Sequence, residues 1–351
     1  MLFAPHMSHV ERAAFAKMLA VLFRSGVPIN ETLDIIERQA PRRARRAIVR
    51  ITQSVRDGTP LHQAFGRYPS LFPNLFVSLV RAGEMSGTLD ETFERLATHF
   101  QKEYEERRKV ITASLYPLLV LGGAVALSFI LAFFVFPRLL PVFRGLGTDL
   151  PLITKILIWV VERSVRYGVV FGLAFAAVVF GSVWVLKIRF VQRFTHPIML
   201  RTPLAGPMIR SMNLATVLRT LGILLKSGVP VDQSITLVQE TVGNVAYQTD
   251  CARILERIQQ GNSIGTTLSL LSQSRWPLLV TQMIQTGEKT GKLEETLYYL
   301  ADFYDGAVDE STKRFIALLE PLLIFGIGLV VGTIALAIIG PIYNLSSSIH
   351  Q

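Results

Sequence analysis

The sequence predicts an all-α membrane protein with two homologous cytoplasmic helical bundles, about six helices each, and three transmembrane helices. Three observations lead there. Apolar residues recur at helical spacing through both polar regions, and no convincing strand alternation interrupts them. Three long runs are almost free of charge. The stretch Leu22-Phe23-Arg24-Ser25-Gly26-Val27-Pro28-Ile29 returns about 202 positions later as Leu224-Leu225-Lys226-Ser227-Gly228-Val229-Pro230-Val231.

Composition points the same way. Half of the 351 residues are hydrophobic, mean hydropathy is +0.40, and 18% are charged, below the roughly 25% typical of soluble domains. A net charge of +10 raises nucleic acid as a partner, but an excess of Lys and Arg in a membrane protein is topology information. Aromatic residues do not interleave the basic ones as a nucleic-acid surface requires, so no nucleic-acid partner is expected. Cys251, the single cysteine, rules out an intrachain disulfide framework and a cysteine-rich zinc site. Met1 to Glu11 contains no apolar h-region, so no cleavable signal peptide is expected and insertion relies on internal spans.

The first bundle is expected over residues 1–112. Phe15, Met18, Leu19 and Leu22 form one helix face. Gly26 then stops the helix and Pro28 forbids its continuation. A second helix should begin near Asn30, and a third carries Ile48, Ile51 and Val55 and stops at Asp57-Gly58. Leu61, Ala64 and Phe65 fit a short helix, Pro69 to Pro73 is a loop, and another helix leads to Ala82-Gly83-Glu84-Met85-Ser86-Gly87. Thr88 and Glu91 have capping-box spacing and open a long helix with Leu89, Phe93, Leu96, Phe100 and Tyr104 on one stripe. Spans are expected at 113–136, 167–186 and 318–342, each long enough for a hydrocarbon core of ~30 Å. A connector at 137–166, a second bundle at 187–317 and a short tail at 343–351 complete the chain.

The repeat extends far beyond its first block. Ile48, Ile51, Val55 and Gly58 meet Cys251, Ile254, Ile258 and Gly261 at an offset of 203. Gly83-Glu84 and Gly87 meet Gly287-Glu288 and Gly291 at 204, and the stripe from Leu89 to Tyr104 meets Leu293, Leu297, Leu300, Tyr304 and Val308 at the same offset. Tyr116-Pro117-Leu118-Leu119 meets Glu320-Pro321-Leu322-Leu323. Blocks in order with apolar phase preserved mean duplication. Each unit is then a bundle followed by one span, and bundles on the same side need an extra crossing, which 167–186 supplies. Arg107-Arg108-Lys109, Lys187, Arg189 and Arg193, and Lys313-Arg314 flank the spans on the bundle side, which places the bundles and the N-terminus in the cytoplasm and the C-terminus in the periplasm. The connector's Arg138, Arg144, Lys155, Arg163 and Arg166 run against that rule, whereas the repeat argument is independent of it.

Catalytic chemistry finds no foothold. Gly287-Glu288-Lys289-Thr290-Gly291-Lys292-Leu293 resembles a phosphate loop, but its glycines are one residue too close and no Ser or Thr follows Lys292. His6, His9, His62, His99, His196 and His350 show no metal-ligand spacing, and no serine sits in a nucleophile elbow. No cofactor or metal is therefore expected. Glu84 and Glu288 share Gly-Glu-x-x-Gly before a long helix, and read either as turn acids near helix amides or as partner-facing or cation-binding carboxylates. The run Arg42, Arg43, Arg45, Arg46 and Arg50 has no counterpart in the second repeat, where Asn244 to Gln248 is neutral; it forms a solvated face, or meets anionic headgroups or an acidic partner. Gly168 with Gly172, and Gly328 with Gly332, put small residues on one face of a span and suit close helix packing within or between subunits. A small-solute transporter is the alternative reading, but transport needs ionisable groups at mid-depth and the span centres offer Ser128, Ser182 and Thr333. A receptor would need a larger external domain than the connector.

Taken together, these features resemble the inner-membrane platform protein family of type II secretion systems and type IV pili. The resemblance rests on Ser-Gly-Val-Pro in each unit, Gly-Glu-x-x-Gly before each long helix, Leu319-Glu320-Pro321-Leu322-Leu323 opening the last span and Pro341-Ile342-Tyr343 closing it. The segment from Phe143 to Thr154 is similar to that family's periplasmic connector. The resemblance implies a non-enzymatic, homo-oligomeric platform that engages a hexameric assembly ATPase, pilins or pseudopilins and other inner-membrane assembly proteins. Members usually carry an additional N-terminal segment; here the first bundle begins almost at once.

Overall fold

The computed structural model describes residues 7–135, 138, 141, 159, 181, 188–203 and 205–348. Every regular element among them is helical: α1 (His9–Arg24), α2 (Ile29–Gln39), α3 (Arg42–Arg56), α4 (Leu61–Gly66), α5 (Asn74–Ser86) and α6 (Leu89–Ile130), the last followed by a π-helical turn at Leu131–Val135. Then come α7 (Arg189–Arg201), α8 (Gly206–Lys226), α9 (Val231–Thr241), α10 (Val245–Gln259), α11 (Ile264–Ser269), α12 (Leu278–Thr290) and α13 (Leu293–Ser348).

The duplication reappears as matched elements. The pairs α2/α9, α3/α10, α4/α11 and α5/α12 have equal lengths of 11, 15, 6 and 13 residues. The first repeat's α2 starts one residue before the expected Asn30, because Pro28 itself occupies the N-cap. Gly26 and Gly228 adopt φ of 72° and 76°, the left-handed conformation that ends α1 and α8. The amide of Val27 then donates to Leu22 O at 3.1 Å, and that of Val229 to Leu224 O at 3.0 Å, which closes the same turn twice.

The chain divides into two compact units, Met1–Val110 with His196–Ser311, and Ile111–Thr195 with Thr312–Gln351. In the first unit each repeat has its own aromatic centre. Phe15, Phe65, Phe72 and Phe76 cluster with ring centroids 4.6–6.5 Å apart. The second repeat puts Trp276 at the position of Phe72 and packs it 5.7 Å from Tyr247. Both polar ends are satisfied: Trp276 Nε1 donates to buried Asp250 at 2.9 Å, and Tyr247 donates to Arg275 O at 3.2 Å. Arg275 completes the Asp250 site with two bonds of 2.6 and 3.0 Å, so this buried carboxylate is paired.

The second unit contains α6 from Ile111 onward and α13 from Thr312 onward. Leu118, Leu119, Leu322 and Phe325 on these helices are 61–74% exposed. Among the described residues, two helices are long and apolar enough to cross a membrane. One is α8, whose apolar window is 61% buried, which makes it a core helix of the first unit; the other is the Leu293–Leu336 part of α13, whose apolar window is not buried at all. Leu115–Ile130 is a shorter apolar helix. The expected span at 167–186, with Gly168 and Gly172, lies outside the described residues. A Cβ added at Gly328 or Gly332 meets nothing within 4 Å.

Candidate partner-binding positions and the seam between the repeats

The Gly-Glu-x-x-Gly motif resolves into three separate jobs. The first glycine lets two helices touch: a Cβ at Gly83 would lie 2.2 Å from Thr92 Oγ1, and one at Gly287 2.7 Å from Thr296 Oγ1. The last glycine, Gly87 or Gly291, takes a left-handed φ of 75° or 70° as C-cap of α5 or α12. Between them the glutamate reaches back to the short helix some two dozen residues earlier. Glu84 accepts from the amides of Leu61 at 2.8 Å and His62 at 3.2 Å, the first two residues of α4. Glu288 accepts from Ile264 and Gly265, both at 2.7 Å, the first two of α11. These are the orphan amides of a six-residue helix, and in the first repeat Pro60 precedes them with no side chain able to cap.

The two copies differ at the next residue. His62 Nδ1 stands 2.5 Å from Glu84 Oε2, where the second repeat has Gly265. Burial works to raise the Glu84 pKa, but the His62 contact and the two amides outweigh it and hold the carboxyl below the ordinary range. The expected capping box at the start of α6 is replaced by other partners. Thr88 Oγ1 meets Ser86 Oγ at 2.7 Å, and the Glu91 carboxylate takes Arg95 at 2.7 Å.

Arg42, Arg43, Arg45 and Arg46 occupy the first turns of α3, and with Arg50 all five are exposed. Ala44, Ala47, Ile48 and Ile51 form the opposite, buried face. Among the described residues none of the five arginines forms an ion pair. Cations at a helix N-terminus oppose the macrodipole, so this face is built against local stability. No group of three or more His, Cys, Asp or Glu side chains among the described residues is placed to hold a metal ion.

A polar cluster joins the two repeats. Arg219 on α8 is 6% exposed; it donates to Glu106 Oε1 at 2.9 Å and also pairs with Asp305. Lys102 reaches Asp305 at 3.1 Å, and Lys109 reaches Asp309 at 2.7 Å. Asn74 donates to Glu240 at 2.8 Å. Arg95 donates to Ser227 Oγ at 2.9 Å and to Lys226 O at 3.1 Å, so the second Ser-Gly-Val-Pro turn is itself part of the seam. Burial is the strongest influence on Glu106 and lifts its pKa, with Arg219 partly offsetting it. His99 is 4% exposed, and burial together with the Arg219 charge pushes its pKa down to about 4. It borders a cavity of about 370 Å³ with Glu106, Arg219 and Thr241.

The sequence marks Ser227 as part of the repeated turn and Lys109 as a flanking charge, but gives none of these residues a role in a seam. The available signal was asymmetry between the copies. Lys102 and His99 face Gly306 and Phe303 at the repeat offset, and Arg219 and Asp305 face Lys17 and Gln101.

A family model described as "Type II secretion system (T2SS), protein F" matches residues 15–137 and 217–341, one match on each repeat. The chain is 32% identical over 334 residues to the type IV pilus assembly protein PilC of Thermus thermophilus, covering 95% of this chain and 82% of that one. It is 31% identical over 350 residues to the type II secretion system protein F of Aeromonas hydrophila, covering 99% and 90%. Identity to PilC of Pseudomonas aeruginosa is 28% over 338 residues, covering 95% and 90%.

Proposed function

Because the chain belongs to the type II secretion system protein F family, we propose that it is an inner-membrane assembly platform of a type II secretion or type IV pilus machine. It couples a hexameric cytoplasmic ATPase to the extraction of pilins or pseudopilins and their addition to a fibre. The observation that supports this most is the double family match, one per repeat, together with relatives of both kinds aligned over 95% or more of the chain. The platform is an assembly component rather than an enzyme, and force reaches it from its partner.

Three spans and a cytoplasmic placement of both bundles fit this role. The packing of the repeats into one compact unit supports a shared side of the bilayer, and a chain with a span after each bundle would then need the crossing at 167–186. We assign the α3 arginines as the contact for an acidic partner or an anionic bilayer surface, because their cost to the helix is otherwise uncompensated. Glu84 and Glu288 are assigned to the frame, since their oxygens already cap α4 and α11.

Co-purification of the full chain from membranes tests the reading. The platform should bring down the neighbouring ATPase and pilin-like proteins under gentle detergent. Recovery of neither, together with normal fibre assembly in a deletion strain, would sink it; solute flux in liposomes holding this chain alone would favour the transporter instead.

A further inference from the structure

The two repeats share an architecture but meet through different faces. The first contributes Asn74, Arg95, Lys102, Glu106 and Lys109 from α5 and α6. The second contributes Arg219, Ser227, Glu240, Asp305 and Asp309 from α8, its turn, α9 and α13. Shifted by the repeat offset, the second set falls on Lys17, Ser25, Arg38, Gln101 and Glu105, which is not the first set. The seam is therefore heterologous, head to tail, and such a pair leaves one face of each repeat unused. In the first repeat this is the α1–α2 face; in the second it is the α12–α13 face.

Both unused faces are open and carry exposed apolar side chains, which on the first repeat lie beside Glu11 and Lys17. Val21 is 50% exposed, whereas Ile223, at the same position of the second repeat, is 3% exposed. A groove of about 650 Å³ runs between α1 and α2, lined by Ala14, Met18, Val21, Leu22 and Ile35. On the other face Leu278, Tyr299 and Phe303 are 58%, 61% and 50% exposed, and they stand where the first repeat has Asn74, Arg95 and His99. Arg95 and His99 meet the socket containing Arg219; the exposed Leu278, Tyr299 and Phe303 and the α1–α2 groove are both left over.

We propose that the α1–α2 groove of one copy receives the α12–α13 face of a second copy of this chain, repeating the internal seam between molecules. The order of repeats then runs first, second, first, second through successive chains, and the rotation at each step decides whether the row closes into a ring. The proposal stands on the seam geometry and not on the platform reading.

Cross-linking in membranes tests it with the full chain. Ser25 and Tyr299 are the between-chain equivalents of Ser227 and Arg95, which touch at 2.9 Å inside the chain. Two differently tagged chains, one Ser25→Cys and one Tyr299→Cys, are co-expressed and treated with a short bismaleimide. A mixed dimer should form in that combination, and neither Ser25→Cys nor Tyr299→Cys should cross-link to itself. Adding Val21→Arg should abolish the mixed band without lowering the amount of inserted chain, because Val21 is already half exposed. Equal self-cross-linking of Ser25→Cys would show a two-fold contact and overturn the proposal, as would absence of the mixed band or its survival with Val21→Arg.

Discussion

Glu84 and Glu288 show how much a single side chain can settle in a short helix. Each carboxylate satisfies two amides that α4 or α11 cannot satisfy for itself. Replacing either by Gln weakens charge-assisted bonds, and hydrogen exchange should show the first amides of the matching short helix opening more easily by about 1–2 kcal/mol. The other short helix should be unaffected. At Gly83 two effects compete. Alanine gains about 1 kcal/mol of helix propensity. It also places a methyl 2.2 Å from Thr92 Oγ1, and overpacking of this kind costs typically 1–3 kcal/mol. Crowding should win, so Gly83→Ala lowers the thermal midpoint, whereas Gly122→Ala, with nothing within 4 Å of the new Cβ, should not. His99 adds a pH signature. Its folded pKa of about 4 lies below the unfolded value of about 6.5, so its contribution is full above pH 6.5 and is lost as pH falls toward 4. The loss amounts to about 3 kcal/mol at most. His99→Phe, the residue of the second repeat, should flatten that part of the stability profile measured by denaturant unfolding of the purified chain.

At the scale of elements, helices were legible wherever a periodic apolar face met a Gly or Pro stop, because both signals are local. Ile48, Ile51, Leu61, Phe65, Phe93, Leu96 and Phe100, expected on core faces, are all buried. The start of α2 moved by one residue, since a proline in extended geometry serves as N-cap as well as stop. The capping box at Thr88 failed for a different reason: Arg95, one turn beyond Glu91, competes for the carboxylate while also binding the second repeat. The targets of Glu84 and Glu288 were hidden because they lie in a different helix, joined through tertiary packing that spacing cannot reveal. On α3 the arginines are exposed as a solvated face would be, yet they sit at the wrong helix end for free stability. Neutralising Arg42, Arg43, Arg45 and Arg46 to Gln should therefore keep or raise helix stability while weakening co-purification of the partner or binding to anionic vesicles. Unchanged binding to both would return this face to a purely solvated role.

For the whole molecule, duplication was readable from the sequence and the seam was not. Repeats aligned by sequence invite the expectation of equivalent contacts, but Arg219, paired with Asp305 of its own repeat, meets Glu106 of the first through faces that do not correspond. The pairing partners lie 86 and 113 positions from Arg219, beyond any local pattern. What the seam adds is that the two bundles are held as one compact unit. The central claim is that both repeats form one body on the cytoplasmic side of the membrane. Arg50 and Arg253 are equivalent, exposed positions of α3 and α10, while native Cys251 is buried. Single Arg50→Cys and Arg253→Cys chains, probed with a membrane-impermeant maleimide, should both be protected in intact spheroplasts and both label after permeabilisation. Labelling of one and protection of the other before permeabilisation would put the repeats on opposite sides and contradict the account.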